Sequence, residues 1–339
     1  MKIQHFDRQD EAQFASLINL LKECAAHDEP GNSPRCPVEM KFILNHEGAE
    51  TDVAAFVALE DGQVRGAAIV LSPIEDNTHL SQFNVYVAPE YRRSGIGTSL
   101  FEFAAENSLA TDRPAWMART VNAIPGGPAR ASAGAAFAEA KGFTAALNLH
   151  RRRSNLHEAD LEVEQALEDD LGDHVSDYEL VEWVGTPPED IIEGVAALTS
   201  LIMDQVPSGE VMVEEQKFNA ERLRTVEDLD VQCGIKVVST AARHKETGQI
   251  AAMSRAAVNA EPGTEAEIRI TLVDPQHRGH RLGTLVKIGL HRQLRRDFPQ
   301  VVHVKTGNAD INPHMSAIND KLGYVEFEKA VIFQRVASH

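Results

Sequence analysis

Two short turns hold the residues of this chain best suited to chemistry. One is Arg92-Arg93-Ser94-Gly95-Ile96-Gly97, followed by Thr98. The other is Arg278-Gly279-His280-Arg281-Leu282-Gly283, followed by Thr284. Each follows a strand-like apolar run and opens an apolar helix. Glycine there lets consecutive backbone N–H groups turn inward around anionic oxygens, with the helix dipole adding attraction. Arginine adds paired donors for a phosphate. The spacing is neither the G-x-G-x-x-G of a dinucleotide fold nor the G-K-[ST] of a P-loop. Either turn alone would suit DNA, an acidic partner, a phosphate or a mere tight connection.

Repetition separates these readings. "YVAPEYRRSGIGTSLFEFA" begins at Tyr86 and "TLVDPQHRGHRLGTLVKIG" at Thr271, and both continue through a strand to a helix ending in a Gly-aromatic pair, Gly142-Phe143 and Gly323-Tyr324. Gly97 precedes Gly142 by 45 residues, and Gly283 precedes Gly323 by 40. The surrounding elements recur as well. "MKIQHF" reads as a strand and "QFASLINLLKECAA" as an amphipathic helix; "DVAAFVALEDGQVRGAAIVLSP" is a hairpin about Asp61-Gly62. The second half repeats this order from "YELVEWV" to "EKAVIFQRV". Hairpins mixed with helices predict an α/β (α+β, mixed-sheet) class with a largely antiparallel sheet. The expected domains are 1–155 and 178–339, joined by an acidic linker at 156–177 that includes a solvated helix.

Composition narrows the partners. The 339 residues are 43% hydrophobic and 25% charged, as in a globular protein with real cores. A formal charge of −18 argues against nucleic acid, whose binding depends on basic residues releasing counterions, and suits a cationic small acceptor. Cys24, Cys36 and Cys233 form no paired framework, which predicts a reducing, cytoplasmic setting. Cys24, His27 and Cys36 lack a fourth partner for a metal and read as helix-end and loop residues. No signal peptide and no apolar run of membrane-spanning length is visible.

On "VAPEYRRSGIGTSL", "VDPQHRGHRLGTLV", "AFAEAKGF" and "NADINPHMSAINDKLGY", the chain resembles the GNAT superfamily of acyl-CoA-dependent N-acetyltransferases, as two tandem copies spanning nearly its whole length. The layout is similar to that of mycothiol synthase and other actinobacterial acetyltransferases. The resemblance implies acetyl-CoA as cosubstrate, its pyrophosphate held by Arg92 to Thr98 and by Arg278 to Thr284, including Arg93, Ser94, Gly95, Ile96, Gly97, Gly279, His280, Arg281, Leu282 and Gly283. It further implies pantetheine pairing with main-chain groups of Val85, Tyr86 and Val87, and of Leu272, Val273 and Asp274. Asn312 matches a position that bonds the CoA arm, Asn308 is expected to shape the same cleft, and helix capping is the plainer reading of both.

The implied reaction is direct attack of a neutral amine on the thioester. The amine must first shed its proton, and the oxyanion needs backbone donors. Glu267, eleven residues before Arg278, stands where family members carry a general base; its counterpart in the first copy is Ser81. The family's tyrosine acid is replaced by Ala138 and Asn319, so no proton donor is assigned, and Tyr324 and His314 read as core and surface residues. These features place catalysis in the second copy. The leading expectation is a small-molecule amine acetyltransferase; a protein-amine acetyltransferase and a non-catalytic acyl-CoA-binding protein are the alternatives.

Overall fold

The computed structural model describes residues 1–33, 35–45, 50–159, 161–201, 211–212, 214, 217–261, 263–309 and 313–336. The chain divides into two compact units, each interrupted in sequence. Unit 1 comprises Met1–Leu149, Ser208–Glu214 and Glu328–His339; unit 2 comprises His150–Pro207 and Glu215–Phe327. Both are mixed α/β.

Unit 1 runs β1 (Lys2–His5), α1 (Glu11–Asp28), α2 (Pro37–Asn45), β2 (Thr51–Glu60), β3 (Gln63–Pro73), β4 (Leu80–Val87), α3 (Ile96–Glu106), β5 (Ala115–Asn122) and α4 (Ala133–Ala140) into β6 (Thr144–Asn155). Its sheet order is β1-β2-β3-β4-β5-β12, where β12 (Val325–Val336) is the last strand of the chain. Lys329 to Val336 pair antiparallel with Asn122 to Ala115, so the chain's end completes this sheet. Helix α1 starts where Asp10 accepts the Gln13 N–H at 2.9 Å, a cap worth about 1 kcal/mol. It buries Leu17, Ile18, Leu20, Leu21 and Cys24 on one side. Helix α3 lies over β3 at Gly66, where a Cβ would stand 2.8 Å from Leu100 Cδ1 and 3.1 Å from Tyr86 O, so any side chain there would push Leu100 aside.

Unit 2 repeats the plan. Within the acidic segment, α5 (Leu161–Asp169) packs by ion pairs onto the later helix, and Glu164, one of its acids, is buried between Arg292 and Arg295. Then come β7 (Tyr178–Val184), α6 (Ile192–Ser200), α7 (Ala220–Gln232), β8 (Ile235–His244), β9 (Ile250–Asn259), β10 (Glu265–Val273), α8 (Leu282–Asp297), β11 (His303–Ala309) and α9 (Pro313–Lys321). The sheet order is β6-β11-β10-β9-β8-β7. In each unit a parallel pair, β4 with β5 and β10 with β11, adjoins a run of antiparallel pairs.

Those parallel pairs are short. β4 meets β5 only at Leu80 to Gln82, and β10 meets β11 only at Glu265 to Glu267. Beyond them β4 and β10 remain paired on their other side, with a register shift between Ile268 and Ile270 in β10. Each unit therefore holds a strand with one unpaired edge, leading straight into its arginine turn.

Candidate acyl-CoA sites

Alternation of the antiparallel ladder fixes which backbone groups face each opening. Ala88 N–H donates to Arg65 O, so Tyr86 also spends its groups on β3 while Val85 and Val87 turn theirs outward. In unit 2 Asp274 N–H donates to Ala251 O, which turns Thr271 and Val273 outward. Of the main-chain positions expected from sequence, Val85, Val87 and Val273 thus face the openings. Tyr86, Leu272 and Asp274 face the neighbouring strand, because pairing flips direction at each residue. Thr271, which sequence reasoning passed over, takes the place expected for Leu272.

At the end of β4 the first turn is braced from behind. Arg92 grips Asp28 through two hydrogen bonds of 2.6 and 2.7 Å, and its Nε donates to Val87 O at 3.0 Å. Burial pushes the Asp28 carboxyl up, but Arg92 and His27 outweigh it and hold the group below its ordinary range. Cys24 donates its thiol proton to the same Val87 oxygen, and burial pushes that thiol up to about 11, so it is no nucleophile. Among the described residues no group of His, Cys, Asp and Glu is arranged to hold a metal. Arg92 is thus a brace, whereas Arg93 and Ser94 are exposed at the rim.

The two turns share one backbone course. Arg93 (φ 63°) and Gly95 (φ 90°) are left-handed in the first; Gly279 (φ 88°) and Arg281 (φ 55°) are left-handed in the second. The glycine has changed places while the shape is kept. Ser99 N–H closes the first turn of α3 onto Gly95 O, leaving the N–H groups of Ile96, Gly97 and Thr98 without helical partners. At α8 both Thr284 and Leu285 bond back to Arg281 O, a tighter start with one fewer free donor. The Arg281 side chain points away from the turn: its guanidinium bonds Asp170, to the carbonyl at 2.6 Å and the carboxylate at 2.7 Å. His280 Nδ1 lies 3.3 Å from His174 O. The second turn is therefore held from outside by residues 170–174, and the first by Asp28 from below.

Glu267 is the last β10 residue paired with β11, at the vertex of the unit 2 opening. Its carboxylate, 40% exposed, is bound by both terminal nitrogens of Arg151 from β6. Ser81, at the matching vertex of unit 1, is fully buried and bonded to Ser72 Oγ at 2.8 Å, so no acid or base stands there. Behind each vertex the floors differ. In unit 1 Phe101 touches Phe83, Trp116, Phe137 and Phe143, ring to ring at 5.0 to 6.2 Å. In unit 2 Lys287, Tyr324, His291, Asn319 and Asn308 form a buried polar set. Tyr324 OH lies 2.7 Å from His291 Nε2; burial raises the tyrosine, and burial with Lys287 and Arg295 lowers the histidine to about 3, leaving it neutral. His314 is exposed, and Asn312 lies outside the described residues.

Residues 51–145 match the family model described as an acetyltransferase (GNAT) domain. A search among curated proteins gave no match. Among solved structures, a tandem GNAT protein from the clavulanic acid biosynthesis pathway is 26% identical, with a TM-score of 0.83, covering 100% of this chain and 99% of its own. A GCN5-related N-acetyltransferase from Sphaerobacter thermophilus shares the fold at 14% identity and a TM-score of 0.64, covering 99% of this chain and 95% of its own. Residues 51–145 thus carry an acetyltransferase domain of the GNAT family, and the layout of the whole chain is that of a tandem GNAT protein. This fold supports acyl-CoA-dependent acetyl transfer in general.

Proposed function

We propose that the chain is an acetyl-CoA-dependent N-acetyltransferase that acetylates the amine of a small molecule by direct attack within a ternary complex. One observation supports it most: in each unit an unpaired strand edge runs into a turn of converging N–H groups at a helix start. Extended amides fit the edge and a pyrophosphate fits the turn. The residues present thus fit CoA, with Val85 and the Val87 N–H, or Thr271 and Val273, holding its arm. Arg93, Ser94 and the N–H groups of Ile96, Gly97 and Thr98 would meet the diphosphate in unit 1. Arg278, the main chain of Gly279, His280 and Arg281, the N–H groups of Leu282 and Gly283 and the Thr284 hydroxyl would do so in unit 2. The Arg281 guanidinium would join once it leaves Asp170. Bound acetyl-CoA supplies the activated acyl group.

The halves divide the work. Unit 1 has the freer anion turn and a dry aromatic floor, and binds CoA without chemistry. Unit 2 has Glu267 at the vertex to take the proton of the incoming amine, with Arg151 orienting the carboxylate. An acidic surface favours a cationic acceptor, and the setting is cytoplasmic. Among the described residues no helix is long and apolar enough to cross a membrane. The test is release of free thiol from acetyl-CoA over a panel of small amines, using wild type, Gly97→Trp and Gly283→Trp. Loss only in Gly283→Trp is expected. Loss only in Gly97→Trp would reverse the division, and no release with any amine would favour a binding-only protein.

A further inference from the structure

On α8, directly behind the second turn, one charged side chain faces the core. Lys287 lies four residues past Gly283 and is 1% exposed. Its Nζ donates to Asn319 Oδ1 of α9 and sits 4.9 Å from the centre of the Tyr324 ring. Asn319 Nδ2 donates to Asn308 Oδ1 at 2.9 Å, and Asn308 Nδ2 donates to Ser316 Oγ at 3.1 Å. Asn308 stands on β11 past Lys305, the last residue joined to β10, and so on the wall of the opening. Ser316, at the far end, is half-buried. The chain of bonds thus runs from a sealed cation to the rim of the cleft.

The fold does not require a lysine here. Counted from Gly97 and from Gly142-Phe143, the matching unit 1 residues are Phe101, Ala138 and Phe143, all within its apolar core. Burial costs the ammonium its hydration, and Arg152 on β6 repels it; together they push Lys287 from 10.5 down to about 7. The other titratable groups around it are His291 and Arg295 on its own helix, Tyr324 after α9, and Glu267 on β10, which acts on Tyr324. Such a residue weakens the fold, so its place invites a functional reason.

An ammonium has three donors and no acceptor. At the closed end of an amide chain it dictates the direction of every bond. Asn319 must turn its carbonyl to Lys287 and its NH2 to Asn308, whose own NH2 must then point outward. We propose that Lys287 is a positioning residue for acyl transfer in unit 2, holding Asn319 and Asn308 so that the Asn308 Nδ2 hydrogen not given to Ser316 faces a carbonyl oxygen of the bound acyl thioester. This rests on reading unit 2 as the transfer site. Lys287 itself touches no reacting atom.

The test compares wild type with Lys287→Met and Lys287→Gln in thiol release and in unfolding, across pH 6 to 11. The expected result is a kcat at least tenfold lower in both variants, with KM for acetyl-CoA within about threefold and the pH dependence near 7 removed. Lys287→Met should be no less stable than wild type at pH 7, since it removes a buried cation. A depressed folded pKa means that wild type gains stability on Lys287→Met as pH rises from about 7 to 10.5. Unchanged kcat and pH profile in an active enzyme would overturn the proposal, as would a loss of activity that merely follows a loss of stability at pH 7. An inert wild type would instead overturn the transferase reading on which it rests.

Discussion

Gly95 and Arg281 hold the same left-handed position, each immediately before its helix, at φ 90° and φ 55°. Glycine takes this conformation freely, whereas an L side chain pays about 1–2 kcal/mol. Arg281 recovers part of that from Asp170, but both partners are well exposed, so the pair contributes at most about 1 kcal/mol. Arg281→Gly should therefore be as stable as wild type or slightly more so, by calorimetric unfolding. The reciprocal Gly95→Arg should lose about 1–2 kcal/mol, having no such partner. A loss above about 2 kcal/mol in Arg281→Gly would show that the Asp170 contact exceeds an ordinary surface bridge.

That contact also governs anion binding. While Arg281 bonds Asp170, its charge is shared with a carboxylate instead of a diphosphate. Asp170→Asn should tighten CoA binding to unit 2 by up to about fivefold, the most that one exposed ion pair of about 1 kcal/mol can withhold. Titration calorimetry in the Gly97→Trp background would isolate the second site. The gain should shrink in high salt. Equal affinity with and without the Asp170 charge would show that the second turn is already free to accept CoA.

Much of this architecture was legible because local periodicity encodes it. The Asp61-Gly62 hairpin, the strands before both turns and α1 follow directly from alternation and from the spacing of Leu17, Leu20 and Leu21. The turns were legible because they occur twice. What the sequence hid was non-local. Nothing in "EKAVIFQRV" says that Lys329 to Val336 will pair with β5, because a strand's pattern specifies its faces and not its neighbour. Helix α7 was not read from the sequence, because six of its thirteen residues are charged and its apolar stripe is thin. Lys287 had a visible signal, one lysine within "GTLVKIGL". Its partner Asn319 is 32 residues away, so the bond itself could not be foreseen.

Arg92 and Asp28 offer a test through pH. The Asp28 carboxyl is held below its ordinary range in the folded protein, so its contribution is full above about pH 4 and is lost as pH falls through the folded value. Arg92→Ala should cost about 1–3 kcal/mol at pH 7, the range for losing hydrogen bonds to a charged group. The deficit should narrow in acid, where wild type loses the same interaction. Arg92→Lys should fall between, keeping charge without the two-pronged grip. A deficit constant from pH 7 to pH 3 would show that packing of the Arg92 stem, not its ion pair, braces the turn.

Glu267 carries the heaviest chemical load in this reading, and its partner makes that load testable. A carboxylate gripped by both terminal nitrogens of a guanidinium is held in one orientation toward the opening. Glu267→Gln should lower kcat by about a hundredfold, the lower range for losing a positioned base, and leave KM for acetyl-CoA nearly unchanged. Arg151→Gln should preserve the base but release its orientation, lowering kcat by less than Glu267→Gln does. The two effects separate chemistry from architecture. If Glu267→Gln retained full kcat while Arg151→Gln destroyed it, the ion pair would be a structural tie between β6 and β10, and the proton would have to leave by another route.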